Sequence, residues 1–168
     1  MSAYLTTTEA DALAATLPAA SLAAYLAATT AAKAAALELA TIDIDSAMRY
    51  QGRRYDGTGE QVLEFPRYNG SGDTDGVATV WDWDATEEEA VIPLQVKLAV
   101  LFQADGILSG AVATRTSAGD RMIASESVGG MSQSYHAPAT IMTSGGILLV
   151  TRAAELMKRY RLRSGSLL

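Results

Sequence analysis

The chain has 168 residues, 49% hydrophobic, 19% charged and 7% aromatic, which fits one main core with appendages and excludes disorder throughout. A formal net charge of -6 excludes a surface that grips nucleic acid everywhere, and the lack of cysteine excludes disulfides, thiolate nucleophiles and cysteine metal sites. No run approaches the ~20 apolar residues of a membrane span, and MSAYLTTTEADA lacks the basic start and apolar core of a signal peptide; the chain reads as cytosolic when made, with no membrane partner.

Thr6 to Glu9 has the spacing of a capping box, so a short helix is expected from there to about Leu17, where Pro18 breaks it. Ser21 to Thr41 is dominated by alanine, with Leu22, Tyr25, Leu26, Leu37 and Leu39 as the large apolar side chains. Thr29-Thr30 interrupts this stretch and predicts two helices rather than one, because threonine favours caps over helix interiors. So much alanine implies close helix approach.

Between Asp43 and Glu89 the pattern changes to glycine-rich loops, with alternation from Val77 to Asp84 that suggests a short strand or hairpin. Pro93 then opens IPLQVKLAVLFQADGILSG, where only Lys97 and Asp105 are charged. A helix over Leu94 to Leu108, apolar nearly all round, is expected at the centre of the fold. Arg121 to Val128, Gly129-Gly130 and Met131 to His136 read as strand, turn and strand. After Gly145-Gly146 comes an amphipathic, basic helix with Leu149, Ala153, Leu156 and Tyr160 on one stripe and Arg152, Arg159 and Arg163 along its flank. That stripe can either fill a partner's groove or complete the core. The fold class expected is mainly α: a small helical bundle with a loop and β-hairpin extension and a C-terminal amphipathic helix.

Charge is unevenly placed. Asp73 to Glu89 holds seven acids and no base, whereas Thr151 to Leu168 holds five bases against Glu155 alone. Arg49, Arg53 and Arg54 with Tyr50 and Tyr55 form a basic aromatic cluster. Such a composition suits stacking and phosphate contact with single-stranded nucleic acid, and equally suits arginines paired with acids across a subunit contact.

Enzymatic chemistry finds little support. His136, the one histidine, has no cysteine partner, and the nearby serines do not sit in a G-x-S-x-G elbow. Ser71 to Asp82 follows a calcium loop only superficially, with serine first and the shorter acid last, and reads as an acidic turn. No glycine-rich run ends in Lys-Ser or Lys-Thr. No catalytic residue, metal site or cofactor is expected.

Several stretches, in order, carry a resemblance: YLTTTEADAL, AAKAAALELATIDID, QGRRYD followed by EQVLEFPRY, IPLQVKLAVLFQADGIL and SESVGGMSQSY. Together they resemble the head-tail connector (adaptor, or neck) proteins of tailed bacteriophages. Gln61 to Arg67 and Ser125 to Tyr135 are the most specific pieces. The resemblance implies a single connector domain over residues 1–168, with a loop and β insertion at about 43–90, a hairpin at about 121–136 and a docking helix at about 146–163. It further implies a structural virion protein in the neck, assembled in the host cytoplasm as a ring, with twelve copies the expected number. The implied partners are other copies of the chain, the portal protein, the tail terminator or next neck protein, and DNA passing through the channel during ejection without sequence specificity. Portal contact would fall to Arg152, Leu156, Arg159, Tyr160, Arg161 and Arg163. Subunit contact would fall to Ser125, Ser127, Gly129, Gly130, Ser132, Tyr135, Arg53 and Arg54. Some similar sequences are labelled DnaT-like single-stranded DNA-binding proteins, which makes DNA binding the alternative function; a steep salt dependence of affinity would mark it.

Overall fold

The computed structural model describes residues 3–52, 54–55, 61–68, 83–84, 89–111, 125–128, 131–134, 140–142 and 148–161. Among them the molecule is mainly helical, as the sequence pattern predicts. Helix α1 (Thr7–Ala14) starts on a complete capping box: the Thr6 hydroxyl accepts from the Glu9 amide and the Glu9 carboxylate accepts from the Thr6 amide. It ends earlier than Leu17. Thr16 and Leu17 already donate to carbonyls three residues back, and Pro18 disfavours helical backbone in the residue before it.

A 3₁₀ turn at Ala19–Ser21 leads into α2 (Ala23–Ala27), and α3 (Thr30–Ala47) follows, with the Thr29 hydroxyl accepting from the Ala32 amide. The break at Thr29 therefore separates two helices, because threonine caps the second of them. Helix α2 has Leu22 at its N-cap and no cap from its own neighbours. Its free N–H at Tyr25 is met instead by the Asp105 carboxylate, 2.9 Å away on α4 (Leu94–Leu108).

Helix α4 begins after Pro93 and is the hub of the bundle, packing on α3, α2, α1 and the final helix α5 (Thr151–Met157). Val96, Ala99, Val100, Leu101, Ala104 and Gly106 are buried along it, and α3 answers with Ala36, Leu37, Ala40, Ile44 and Ala47. Small side chains on both helices let the backbones come close, as ridge-into-groove packing requires. One polar side chain crosses this core. Gln103 donates to Asp43 on α3 at 2.7 Å and accepts from the Val150 amide at 2.9 Å, so both ends of its amide are used.

Among the described residues the β elements are three two-stranded antiparallel pairs. Strands β1 (Trp83–Asp84) and β2 (Glu89–Ala90) pair, as do β3 (Ser125–Val128) and β4 (Met131–Ser134), with Val128 opposite Met131 and Ser125 opposite Ser134. Strand β5 (Thr140–Met142) pairs with β6 (Leu148–Val150).

The C-terminal helix does not start near residue 146. Leu148–Val150 is strand, held by β5 and by Gln103, and helix begins only at Thr151. Of the expected apolar stripe, Leu149, Ala153 and Tyr160 are buried in the core and Leu156 packs partly buried against it. The stripe completes the bundle; it is not an open docking face. Burial is the physical reason: the wall of α4 needs a cover, and α5 with its 3₁₀ extension Lys158–Tyr160 supplies it. No described helix is long and apolar enough to cross a membrane.

Candidate nucleic-acid interface

The Arg-Tyr dipeptide occurs four times, at Arg49-Tyr50, Arg54-Tyr55, Arg67-Tyr68 and Arg159-Tyr160. The fold brings all four to one corner. After α3 the chain runs extended, and Tyr50 forms an antiparallel bridge with Arg161. Gln51 reinforces it: its amide donates to the Tyr160 carbonyl at 2.8 Å, and its side chain donates to the carbonyls of Arg159 at 3.0 Å and Arg161 at 2.9 Å. A second bridge joins Arg54 to Arg67, next to a Tyr55 amide bond to the Pro66 carbonyl at 3.0 Å. Gly52, with φ +73°, makes the turn between the two bridges, a backbone region that side-chain-bearing residues rarely adopt.

The dipeptides divide their side chains between inside and outside. Tyr50 and Tyr160 point inward onto Phe65, whose ring meets theirs edge-on at 5.0 and 5.2 Å. Tyr50 is buried and donates to the Ile44 carbonyl, and burial holds its phenol well above the ordinary range. It cannot serve as a stacking platform, contrary to its place in the sequence-read cluster. Arg67 is buried too. Its guanidinium donates to the carbonyls of Gln51 at 2.9 Å and Gly52 at 2.6 Å and pairs with Glu64, so it brackets the loop.

The outward set is different. Tyr55 and Tyr68 are half-buried, with ring centroids 5.3 Å apart at 37°. Arg49, Arg54, Lys158, Arg159 and Arg161 are exposed. Arg159 lies over the Tyr160 ring at 5.2 Å. Arg54 pairs with Glu64, which strengthens its hold on its proton. Neither Arg49 nor Arg161 forms an ion pair among the described residues. Cations beside a partly exposed aromatic pair are what a flexible, charged polymer with flat bases requires. No described group of acids or histidine forms a cluster able to hold a metal.

The other residues named from the sequence are spread out. Arg152 sits exposed on α5 over the Phe102 ring at 5.2 Å. Ser125, Ser127 and Ser132 lie in the β3–β4 pair, where Ser127 faces Ser132 across the ladder. Arg53, Gly129, Gly130, Tyr135 and Arg163 lie outside the described residues, as do His136 and nearly all of the acidic stretch from Asp73. Gln51, Glu64, Arg67 and Tyr68 are functional candidates that composition alone does not single out. The recurring Arg-Tyr dipeptide is the signal that could have found Arg67 and Tyr68; Gln51 and Glu64 lie outside it.

Compared with known families, residues 1–166 match the one described as "Putative DnaT-like ssDNA binding protein". No curated protein and no solved structure matches the chain. This finding corrects the main functional expectation. A structural neck protein, ringed beneath a portal and carrying the associated virion roles, is not the family that the chain matches; the alternative named beside it is. Across nearly its whole length, the chain belongs to the DnaT-like single-stranded-DNA-binding family.

Proposed function

We propose that this chain is a single-stranded DNA-binding protein rather than an enzyme, and that its binding surface is the Arg-Tyr corner. One observation carries the reading: four Arg-Tyr dipeptides, the last of them some ninety residues beyond the third in sequence, meet through the Tyr50–Arg161 and Arg54–Arg67 bridges. Phosphates would lie on Arg49, Arg54, Lys158, Arg159 and Arg161, and an unstacked base would lie on Tyr55 and Tyr68. Phosphate contact and stacking are both indifferent to base identity, so the binding would be sequence-tolerant.

The acidic total charge is compatible with this reading because attraction over a screened surface acts within about 8–10 Å at ordinary ionic strength. A local basic corner can therefore attract a strand at close range even though the total charge is negative.

Fluorescence anisotropy with labelled oligothymidylate of about 20 nucleotides tests the proposal. Affinity should fall steeply as salt rises, with a double-log slope of roughly -0.7 for each phosphate engaged, and duplex DNA should compete poorly. Undetectable binding at low salt, or equal competition by duplex, would remove the reading.

A further inference from the structure

Glu64 occupies an unusual position in the corner. One carboxylate oxygen, Oε2, pairs with Arg67, whose side chain is 7% exposed; the other, Oε1, accepts from Nε of Arg54 at 3.2 Å, a side chain 43% exposed. The two ion pairs are unequal. Arg67 is enclosed by carbonyls of residues 50 to 52 and cannot leave, so its charge needs Glu64 as a permanent counterion. Arg54 has one further bond, from Nη1 to the Gln61 carbonyl at 3.2 Å, and faces solvent. An exposed pair of this kind is readily exchanged. Two guanidiniums around one carboxylate leave the trio one positive charge in excess, which a single phosphodiester would neutralise.

Resting on the reading of this corner as a DNA-binding surface, we propose that Glu64 is a built-in competitor for phosphate. Its Oε1 occupies the Arg54 fork in the free protein, and a backbone phosphate oxygen of the bound strand takes its place while Oε2 stays on Arg67. Glu64 thereby lowers affinity and sets a threshold below which short or weakly held strands do not displace it. A carboxylate and a phosphate present similar paired oxygens to a planar guanidinium, which is why one can stand in for the other. The contact is ionic, with no bond made or broken.

The test is Glu64→Gln, which retains an oxygen and the approximate shape while removing the charge. Anisotropy titrations with oligothymidylate should show binding tightened roughly threefold or more, with the salt slope unchanged, because Arg54 engages the same phosphate in both proteins. Adding Arg54→Ala to Glu64→Gln should abolish the gain. Wild-type binding that Glu64→Gln leaves unchanged or weakens overturns the proposal and spares the DNA-binding reading. A gain that survives Arg54→Ala also overturns it. No binding by wild type and variant alike removes both.

Should Glu64→Gln compromise folding, the unmutated protein gives the answer through its arginine side-chain Nε–H resonances. Saturation with oligothymidylate should shift Arg54 and leave Arg67 in place. Movement of both, or of neither, in a complex that otherwise forms overturns the exchange.

Discussion

Around α4, side chains leave solvent mostly without polar partners; around Arg67, nearly every group that leaves solvent takes a hydrogen-bond partner with it. Val96, Ala99, Val100, Leu101 and Ala104 are held by shape and apolar area, with Gln103 as the one polar crossing. Gln51, Arg54, Gln61 and Arg67 hold the corner through carbonyls and a single carboxylate. Apolar packing is indifferent to charge and salt, whereas the corner's bonds are directional and partly ionic. A scaffold of the first kind can carry a surface of the second kind without depending on it for stability.

Phe65 is where the two regions meet, since its ring contacts Tyr4, Tyr50 and Tyr160, and removing it should break the distinction most severely. Phe65→Ala is expected to cost about 3–5 kcal/mol, as for large buried aromatics, read as a lower urea midpoint. Gln103→Leu comes next. It strands the Asp43 carboxylate and the Val150 amide, and should cost about 1–3 kcal/mol in the same assay.

Replacing Lys158, Arg159 and Arg161 together with alanine should sharpen the contrast from the other side. The three are exposed, so the urea midpoint should change little, while single-stranded DNA affinity should fall roughly tenfold at low salt and the salt slope should flatten by about 2. A large loss of stability in this variant would mean that the corner is part of the scaffold after all.

Helix boundaries illustrate what a sequence can and cannot disclose. The capping box at Thr6, the break at Thr29 and the start of α4 after Pro93 are legible because the residue that caps or opens the helix sits beside it in the chain. Leu148–Val150 is misread as helix because its extended form depends on β5 and on Gln103, 47 residues earlier. For the site, Arg54 and Tyr55 are legible as composition, but Tyr50 is assigned to the wrong side. Only packing against Phe65 shows that it points inward. The connector half of the family resemblance leads further astray, since it supplies a ring and partners that no residue pattern required, whereas the DnaT-like label beside it is the one that the chain matches.

Thr6→Ala should have a smaller effect, about 1 kcal/mol, because the lost cap lies on an exposed helix end. The smallest effects concern acid. Burial raises the Asp43 and Asp45 carboxyls above their usual range, while the bonds from Thr6 lower Glu9. The signs oppose each other. For Asp43, the folded state binds the proton more tightly than the unfolded chain, so its contribution is full below the ordinary carboxylate range of about 4 and is lost as pH rises through its folded value. Glu9 contributes fully above that range and loses its contribution as pH falls through its depressed value. Asp43→Asn, compared with wild type in urea at about pH 3 and about pH 7, should gain relative stability only at the higher pH.

The Asp105 carboxylate that meets the Tyr25 amide gives α2 a dependence in time as well as in space. Five residues headed by leucine are too few to nucleate a helix, and the group that would steady the first turn arrives from 80 positions later. Helix α2 must therefore form late in folding, after α4 is in place, and must dissolve whenever that pairing opens. Its Tyr25 amide should exchange with deuterium at the rate of the whole bundle rather than at the faster rate of a fraying helix end, and Asp105→Ala should return it to the faster class.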